Sequence, residues 1–196
     1  MASTGYFNLE DCMELEQRTI EHDLFGKPRR KKTINQKKKG NANELVACKV
    51  MEEWVGEPFA RVPSSGGLRW KEFEGVCGDI VCENKKVKFP FSVETKHLQQ
   101  VTVAYKLREN SLIYGKWKQA VRDAIRAKKE PMLLIRSNGM DKGRFYLFVD
   151  EKFSVYLPSC NIAPSYRGEG IIGYDSVEFF AKVSYKYMVT LKKRGI

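Results

Sequence analysis

The chain has no apolar run longer than a few residues, and its mean hydropathy is −0.46, so no bilayer-spanning helix is expected. Its opening residues, MASTGYFNLEDCMELEQ, lack the basic-then-apolar order of a secretory signal. The expected location is therefore intracellular, in a cytoplasm or a host cytoplasm, with no membrane partner. Five cysteines (Cys12, Cys48, Cys77, Cys82 and Cys160) are an odd number for such a chain, which argues against a disulfide framework. Zinc is also disfavoured, because Cys77 and Cys82 are spaced C-x4-C, no second cysteine pair follows, and only two histidines exist. Buried free thiols are expected instead. Acid is in short supply as well: 24 Asp and Glu stand against 35 Lys and Arg, a formal charge of +11. That excess favours a polyanionic partner, most often nucleic acid.

The 196 residues suffice for one domain with extensions. Residues 1–25 hold six acids and one base, whereas residues 26–39 hold eight bases and no acid, which leaves the rest of the chain at +8. The basic stretch, with Arg30, Lys31, Lys38 and Lys39, reads as an arm able to track phosphates. The expected organisation is an N-terminal extension over 1–37, a core over 38–150 and a β-rich C-terminal extension over 151–196 packed on that core.

Residues 41–55 place Leu45, Cys48 or Lys49, Met51 and Val55 near helical spacing. Phe59–Val62 reads as a short extended piece, Ser64–Gly67 as a loop, and Asp79–Cys82 as a strand. Val87–His97 then alternates with period two, so that Phe89, Phe91 and Val93 share one face and Ser92, Glu94 and Lys96 the other. A second helix fits 113–128, with Ile113, Trp117, Val121 and Ile125 or Ala124 as its stripe. Met132–Ile135 and Arg144–Val149 read as a strand pair, and Phe153–Leu157, Val177–Val183 and Tyr187–Leu191 as tail strands. The fold class is α/β.

Glu94 and Lys96 lie two apart on a strand, so their side chains leave the same face about 7 Å apart at the root. If the Asp79 strand pairs with theirs as a hairpin, Asp79 and Glu94 converge on one cation. Oxygen donors of that kind suit Mg²⁺, which takes one or two carboxylates and keeps several waters. Such a site polarises a phosphate oxygen and activates a water, and a neighbouring ammonium offsets the developing charge. Two other pairs share the spacing: Glu83 with Lys85 behind Glu74, and Asp150 with Lys152 behind Asp141. Both sit in turn-like stretches without an alternating strand to aim them. The ordinary alternative for Glu94 and Lys96 is a solvated pair on an exposed sheet face.

Four elements occur in order: Lys39-Gly40 with Glu44, then Arg61-Val62-Pro63-Ser64-Ser65-Gly66, then Gly78-Asp79-Ile80, then Glu94-Thr95-Lys96. Together they resemble the PD-(D/E)XK nuclease superfamily, and more narrowly the archaeal-type Holliday-junction resolvases and related viral nucleases. The resemblance covers residues 38–97, with the second helix and the next strand continuing it to about 136. It implies a restriction-endonuclease-like core, a mixed central sheet flanked by helices, here with extra C-terminal strands. It implies Asp79, Glu94, the Thr95 carbonyl and Glu44 as metal-site residues, and Lys96 as the catalytic lysine. Ser65, Ser64 and Arg61 would lie near the scissile strand, with Lys38 and Lys39 on DNA and Gln119 reaching the same face.

The function so implied is a Mg²⁺-dependent endodeoxyribonuclease, with Mn²⁺ able to substitute, acting on four-way or other branched DNA as a homodimer. Two alternatives remain. One is a nuclease of the same fold cutting linear or other DNA; the other is a non-catalytic nucleic-acid-binding protein. The retained acid–acid–lysine set argues against the last, since carboxylates facing phosphates hinder simple binding.

Overall fold

The computed structural model describes residues 36–62, 78–101, 107–108 and 111–194. Helix α1 (Gln36–Val55) leads into β1 (Phe59–Arg61), β2 (Ile80–Cys82) and β3 (Phe91–Leu98). Helix α2 (Leu112–Ala127) then precedes β4 (Glu130–Ser137) and β5 (Tyr146–Asp150). Two 3₁₀ turns, Glu151–Val155 and Leu157–Cys160, lead to β6 (Tyr166–Gly168), β7 (Ile171–Asp175), α3 (Ser176–Lys182) and α4 (Tyr185–Lys193). The strands form one seven-stranded sheet in the order β1-β2-β3-β4-β5-β7-β6. Only β3 and β4 run parallel, joined through α2 as a crossover; every other pair is antiparallel. The fold is thus α/β, with a mixed sheet between helices, as the sequence implied.

Alternation along β4 divides the interior. Met132 and Leu134 face a core shared with Met51, Phe91, Val93 and Phe179, whereas Leu133 and Ile135 face Ile113, Trp117 and Phe148. On the first side Trp54 packs against Phe91, Phe179, Phe180 and Tyr185 and donates its indole N–H to the Val183 carbonyl at 2.7 Å. On the second side α2 buries Ile113, Trp117, Ala120 and Ala124. Its predicted stripe is right up to Ala124; Ile125 is 70% exposed. Ser111 caps the start of α2 by accepting the Tyr114 N–H, and Lys128 closes its end in the left-handed region at φ 54°.

Helix α1 begins earlier than its apolar pattern, so Lys37, Lys38 and Lys39 are helical rather than part of a separate arm. Gly40, Asn41 and Asn43 have weak helical preference and mask that start in the sequence. Leu45, placed on the expected stripe, is 55% exposed, and Ala47 is buried in its stead.

The tail departs most from expectation. None of its three predicted strands forms. Phe153 and Leu157 are both buried, four residues apart, in the two 3₁₀ turns that follow an Asp150 cap. Val177–Val183 is largely helical because Asp175 accepts the N–H groups of Val177 and Glu178, and Phe179 and Val183 bury one face. Ser184 caps α4 in the same way, with Met188 and Leu191 buried. The extra strands are β6 and β7 instead, turning at Gly170 with φ +68°. Since β7 pairs with β5 and both tail helices pack into the first core, residues 151–194 extend the sheet and core of the preceding residues rather than forming a β-rich extension.

Candidate active site

Three strand ends and two helices converge around Asp79. Antiparallel pairing sets Ile80 opposite Val93 on β3 and opposite Arg61 on β1. Asp79, one residue before β2, is tied from both sides: its N–H bonds the Val93 carbonyl at 2.8 Å and its carbonyl accepts the Val62 N–H at 2.9 Å. Gly78 makes that approach possible. Its φ is +92°, and a Cβ there would lie 2.5 Å from the Val93 oxygen.

The Asp79 side chain stands where a continued β2 would have placed backbone. Its Oδ2 accepts the Thr95 N–H at 2.7 Å and lies 3.3 Å from the Thr95 hydroxyl. A strand residue points its N–H and C=O toward the same edge, so the Thr95 carbonyl faces the Asp79 side as well. Glu94 and Lys96 project from the opposite face of β3 to Thr95, and their side chains bond each other. The Lys96 ammonium also lies 3.8 Å from Asp79 Oδ2, so the two carboxylates converge on one cation, here the ammonium. From α2, Gln119 Nε2 donates to the same Glu94 oxygen at 2.7 Å.

Glu94 is only 3% exposed, which excludes the solvated-pair alternative. Burial above all, then the charge of Asp79, pushes its carboxyl up to about 7, against the pull of Lys96. Burial acts to lower the Lys96 pKa, but Asp79 and Glu94 outweigh it and hold the ammonium above its ordinary value. Glu44 approaches from α1 and is raised by burial, opposed by its hydrogen bond from Arg61. Arg61 Nε binds Glu44 at 2.6 Å and its Nη2 binds Asn41 at 2.7 Å. Glu44 is therefore occupied by Arg61, while its charge still acts on Lys96.

Among the described residues, no group of three or more Asp, Glu, His or Cys is gathered at metal-holding distance. The donors that do converge are two carboxylates, with a backbone carbonyl facing the same edge. That set fits a hard cation which retains waters, and not a fully protein-ligated one. Asp79 and Glu94, with the Thr95 carbonyl, would be the oxygen donors to such a cation.

Lys38 and Lys39 lie in the first turn of α1, where Lys39 donates to Asn138 Oδ1 at 2.8 Å. His97 beside them has its pKa lowered by burial and by the charges of Lys39 and Arg136. Arg30, Lys31, Ser64 and Ser65 lie outside the described residues, as do Cys12, Cys77 and Glu74. Of the competing pairs, Asp150 caps a 3₁₀ turn and Lys152 pairs with Glu130, so they share no site with Asp141. Cys48 is a buried free thiol, with burial lifting its pKa to about 11; Cys82 and Cys160 are half-buried free thiols. Two contributors escaped the sequence reading. Asn41 anchors Arg61, and Asp123 acts on Glu94 through its charge. Asp123 lies one helical turn beyond Gln119, the i,i+4 spacing that could have marked it.

Comparison with known proteins adds the family. Residues 35–163, well over half of the chain, match the model of a family described as phage putative PDDEXK endonuclease. No curated protein and no solved structure matches the chain. Among the described residues no helix is long and apolar enough to cross a membrane. With an α/β fold that brings Asp79, Glu94 and Lys96 together, and a family match spanning every one of them, the chain belongs to the phage PDDEXK endonuclease family, within the PD-(D/E)XK superfamily.

Proposed function

We propose that the protein is a Mg²⁺-dependent endodeoxyribonuclease that hydrolyses phosphodiester bonds in branched DNA, the four-way junction included, and works as a homodimer. One observation carries the catalytic part: Asp79 and a buried Glu94 converge on a single cation, which here is the Lys96 ammonium. Asp79, Glu94 and the Thr95 carbonyl would hold the ion, which when bound polarises a phosphate oxygen and lowers the pKa of a water. Mn²⁺ is expected to substitute.

Lys96 is held as an ammonium by its two acidic neighbours, so it orients the attacking oxygen and offsets charge building on the phosphate rather than taking a proton. Gln119 fixes the Glu94 carboxylate from the helix side. Glu44 fixes Arg61 at the end of β1, where the guanidinium can face the DNA strand. Ser64, Ser65, Lys38, Lys39, Arg30 and Lys31 supply further contacts to that strand. The branched substrate is inferred from the resemblance of the ordered motifs to those of junction resolvases, and the homodimer from the two symmetric cuts that a four-way junction demands.

Labelled four-way, flapped, linear duplex and single-stranded DNA, each incubated with Mg²⁺, Mn²⁺ or EDTA, test this directly. Metal-dependent cleavage with paired symmetric cuts across the junction is expected. Absence of metal-dependent cleavage on every substrate would refute the enzyme. Glu94→Ala and Lys96→Ala should abolish cutting and leave DNA binding within about tenfold, since few of the phosphate contacts are lost.

A further inference from the structure

Two bases near the carboxylates have no acid to answer them. Lys39, in the first turn of α1, donates to the Asn138 side chain at 2.8 Å, and Arg136, on β4, donates through Nη2 to the Met140 carbonyl at 3.0 Å. Neither forms an ion pair among the described residues, whereas Arg61, Lys96, Arg144 and Lys152 all do. Both charges act on His97 and no carboxylate does, so they share one neighbourhood that holds nothing to offset them.

The alternation of the strands shows how they meet. Met132 and Leu134 face α1 across the first core, and Arg136 is the next residue of β4 on that face. His97, opposite Arg136 in the β3–β4 register, continues the same face from Phe91 and Val93. On α1, Ala47 packs in that core and Lys39, two turns nearer the helix start, meets Asn138. Asn43 lies midway between Ala47 and Lys39 at i,i+4 spacing, as Arg136 lies midway between Leu134 and Asn138. It is 2% exposed, and neither atom of its amide has a hydrogen-bond partner among the described residues. Arg136 Nε is buried and unpartnered as well.

Donors outnumber acceptors here. Even with Asn43 Oδ1 accepting the Arg136 Nε–H, the N–H groups of its own amide lack an acceptor. Unmet donors behind two unanswered positive charges call for an anion from outside the chain. Lys39 and Arg136 are only half-buried, so an oxyanion can reach them, with Asn43 lying behind.

We propose that Lys39 and Arg136 form a seat for one backbone phosphate of the DNA strand cut at Asp79 and Glu94, a proposal that rests on the nuclease reading and adds a fixed contact to it. A phosphate supplies the missing charge and the missing acceptors together, and an arginine fork matches its oxygens. His97 follows Thr95 by two residues and Glu94 by three, about 7 to 10 Å along β3. One strand of DNA advances about 3.4 Å per nucleotide, which places the seated phosphate about two or three nucleotides from the scissile bond. An acidic protein segment could match the charge, but only the cleaved strand must already pass within that distance.

Anisotropy of a labelled four-way junction, with the full chain in EDTA, reads the seat without chemistry. Wild type is compared with Lys39→Gln, Arg136→Gln, Arg136→Lys and the Lys39→Gln/Arg136→Gln double variant, with thermal melts confirming each fold. The double variant should bind about tenfold more weakly near physiological salt, its log–log salt slope reduced by about 0.9, the share of one phosphate. Arg136→Lys should keep the wild-type slope. With Mg²⁺, a single methylphosphonate about two or three nucleotides from the mapped cut should slow wild-type cleavage about fivefold or more and the double variant less than about twofold. Unchanged affinity and slope in the double variant would overturn the proposal. So would a slope reduced by about 1.8, which would put the two bases on separate phosphates. Binding of inorganic phosphate that the double variant loses while its DNA binding stays intact would make the occupant a free anion, and overturn it too. A wild type that shows the slope difference in EDTA yet cuts no DNA with Mg²⁺ would refute the nuclease reading and leave the phosphate seat standing.

Discussion

Replacing Glu94 by Gln should stabilise the metal-free protein at neutral and basic pH while abolishing cleavage. The carboxyl is 3% exposed and its pKa is raised from 4.5 to about 7, so the folded state holds this proton where the unfolded chain has released it. Between those two values the native state binds more protons than the unfolded state, and its stability falls as pH rises. The penalty is small near pH 5 and fully present well above pH 7, a change on the order of 2–3 kcal/mol between pH 5 and pH 8. Gln keeps an acceptor for the Gln119 amide and for Lys96 but does not titrate. Urea unfolding in EDTA at both pH values measures the difference between Glu94→Gln and wild type. It should move in favour of the variant by about 2–3 kcal/mol, on the order of 1 M in midpoint for a slope of about 2 kcal/mol/M. Adding Mg²⁺ should stabilise wild type and leave the variant where it was. A difference independent of pH would refute the reasoning, because it would mean that the buried carboxyl ionises as easily in the fold as in water.

Gly78→Ala places a Cβ 2.5 Å from the Val93 oxygen at φ +92°, so it should cost about 2–3 kcal/mol in a denaturant melt and lower cleavage by displacing Asp79. Gly173→Ala is its control: the new Cβ would lie 2.5 and 2.6 Å from Phe148 ring atoms, costing about 1–3 kcal/mol, yet cleavage per folded molecule should be unchanged. Gln119→Leu removes a donor to the ionised form of Glu94, so the rising limb of the cleavage pH profile should move to higher pH, with up to about tenfold lower rate below it. A profile that keeps its position would show that Gln119 does not hold the carboxylate.

Local pattern made part of this site legible. Alternation through Phe89, Phe91 and Val93 put Glu94 and Lys96 on one face of β3, and the Asp79 strand lay close enough in sequence for a hairpin. The burial of Glu94 was not legible, because the cover comes from α2, with Gln119 twenty-five positions away. The pairing of Glu44 with Arg61 likewise depends on where α1 crosses the end of β1, which no spacing encodes. In the tail, β-branched and aromatic residues imitated strands, and the deciding features were single caps at Asp175 and Ser184. The true strands β6 and β7 were hidden by glycines, one of which, Gly173, lets the backbone pass the Phe148 ring.

The charge of the chain and the chemistry of its site pull in opposite directions, and that opposition is what would make the proposed site respond to a divalent cation. In a chain of net charge +11, Glu44, Asp79 and Glu94 pair, among the described residues, with Arg61 and Lys96 alone, so these five groups carry one negative charge more than they can pair. Arg61 is committed to Glu44, which leaves the excess on the Asp79–Glu94 side. Burial prevents water from absorbing it, and the protein relieves it by retaining a proton on Glu94 up to about pH 7. The proposed divalent ion at the same carboxylates would relieve the same excess, so that proton and metal would compete for one deficit. Wild-type metal affinity should therefore weaken as pH falls below about 7, by up to about tenfold per unit. The acid limb of cleavage and the stability gained from Mg²⁺ are then two readings of a single linkage, and they must shift together in any variant that changes the burial of Glu94.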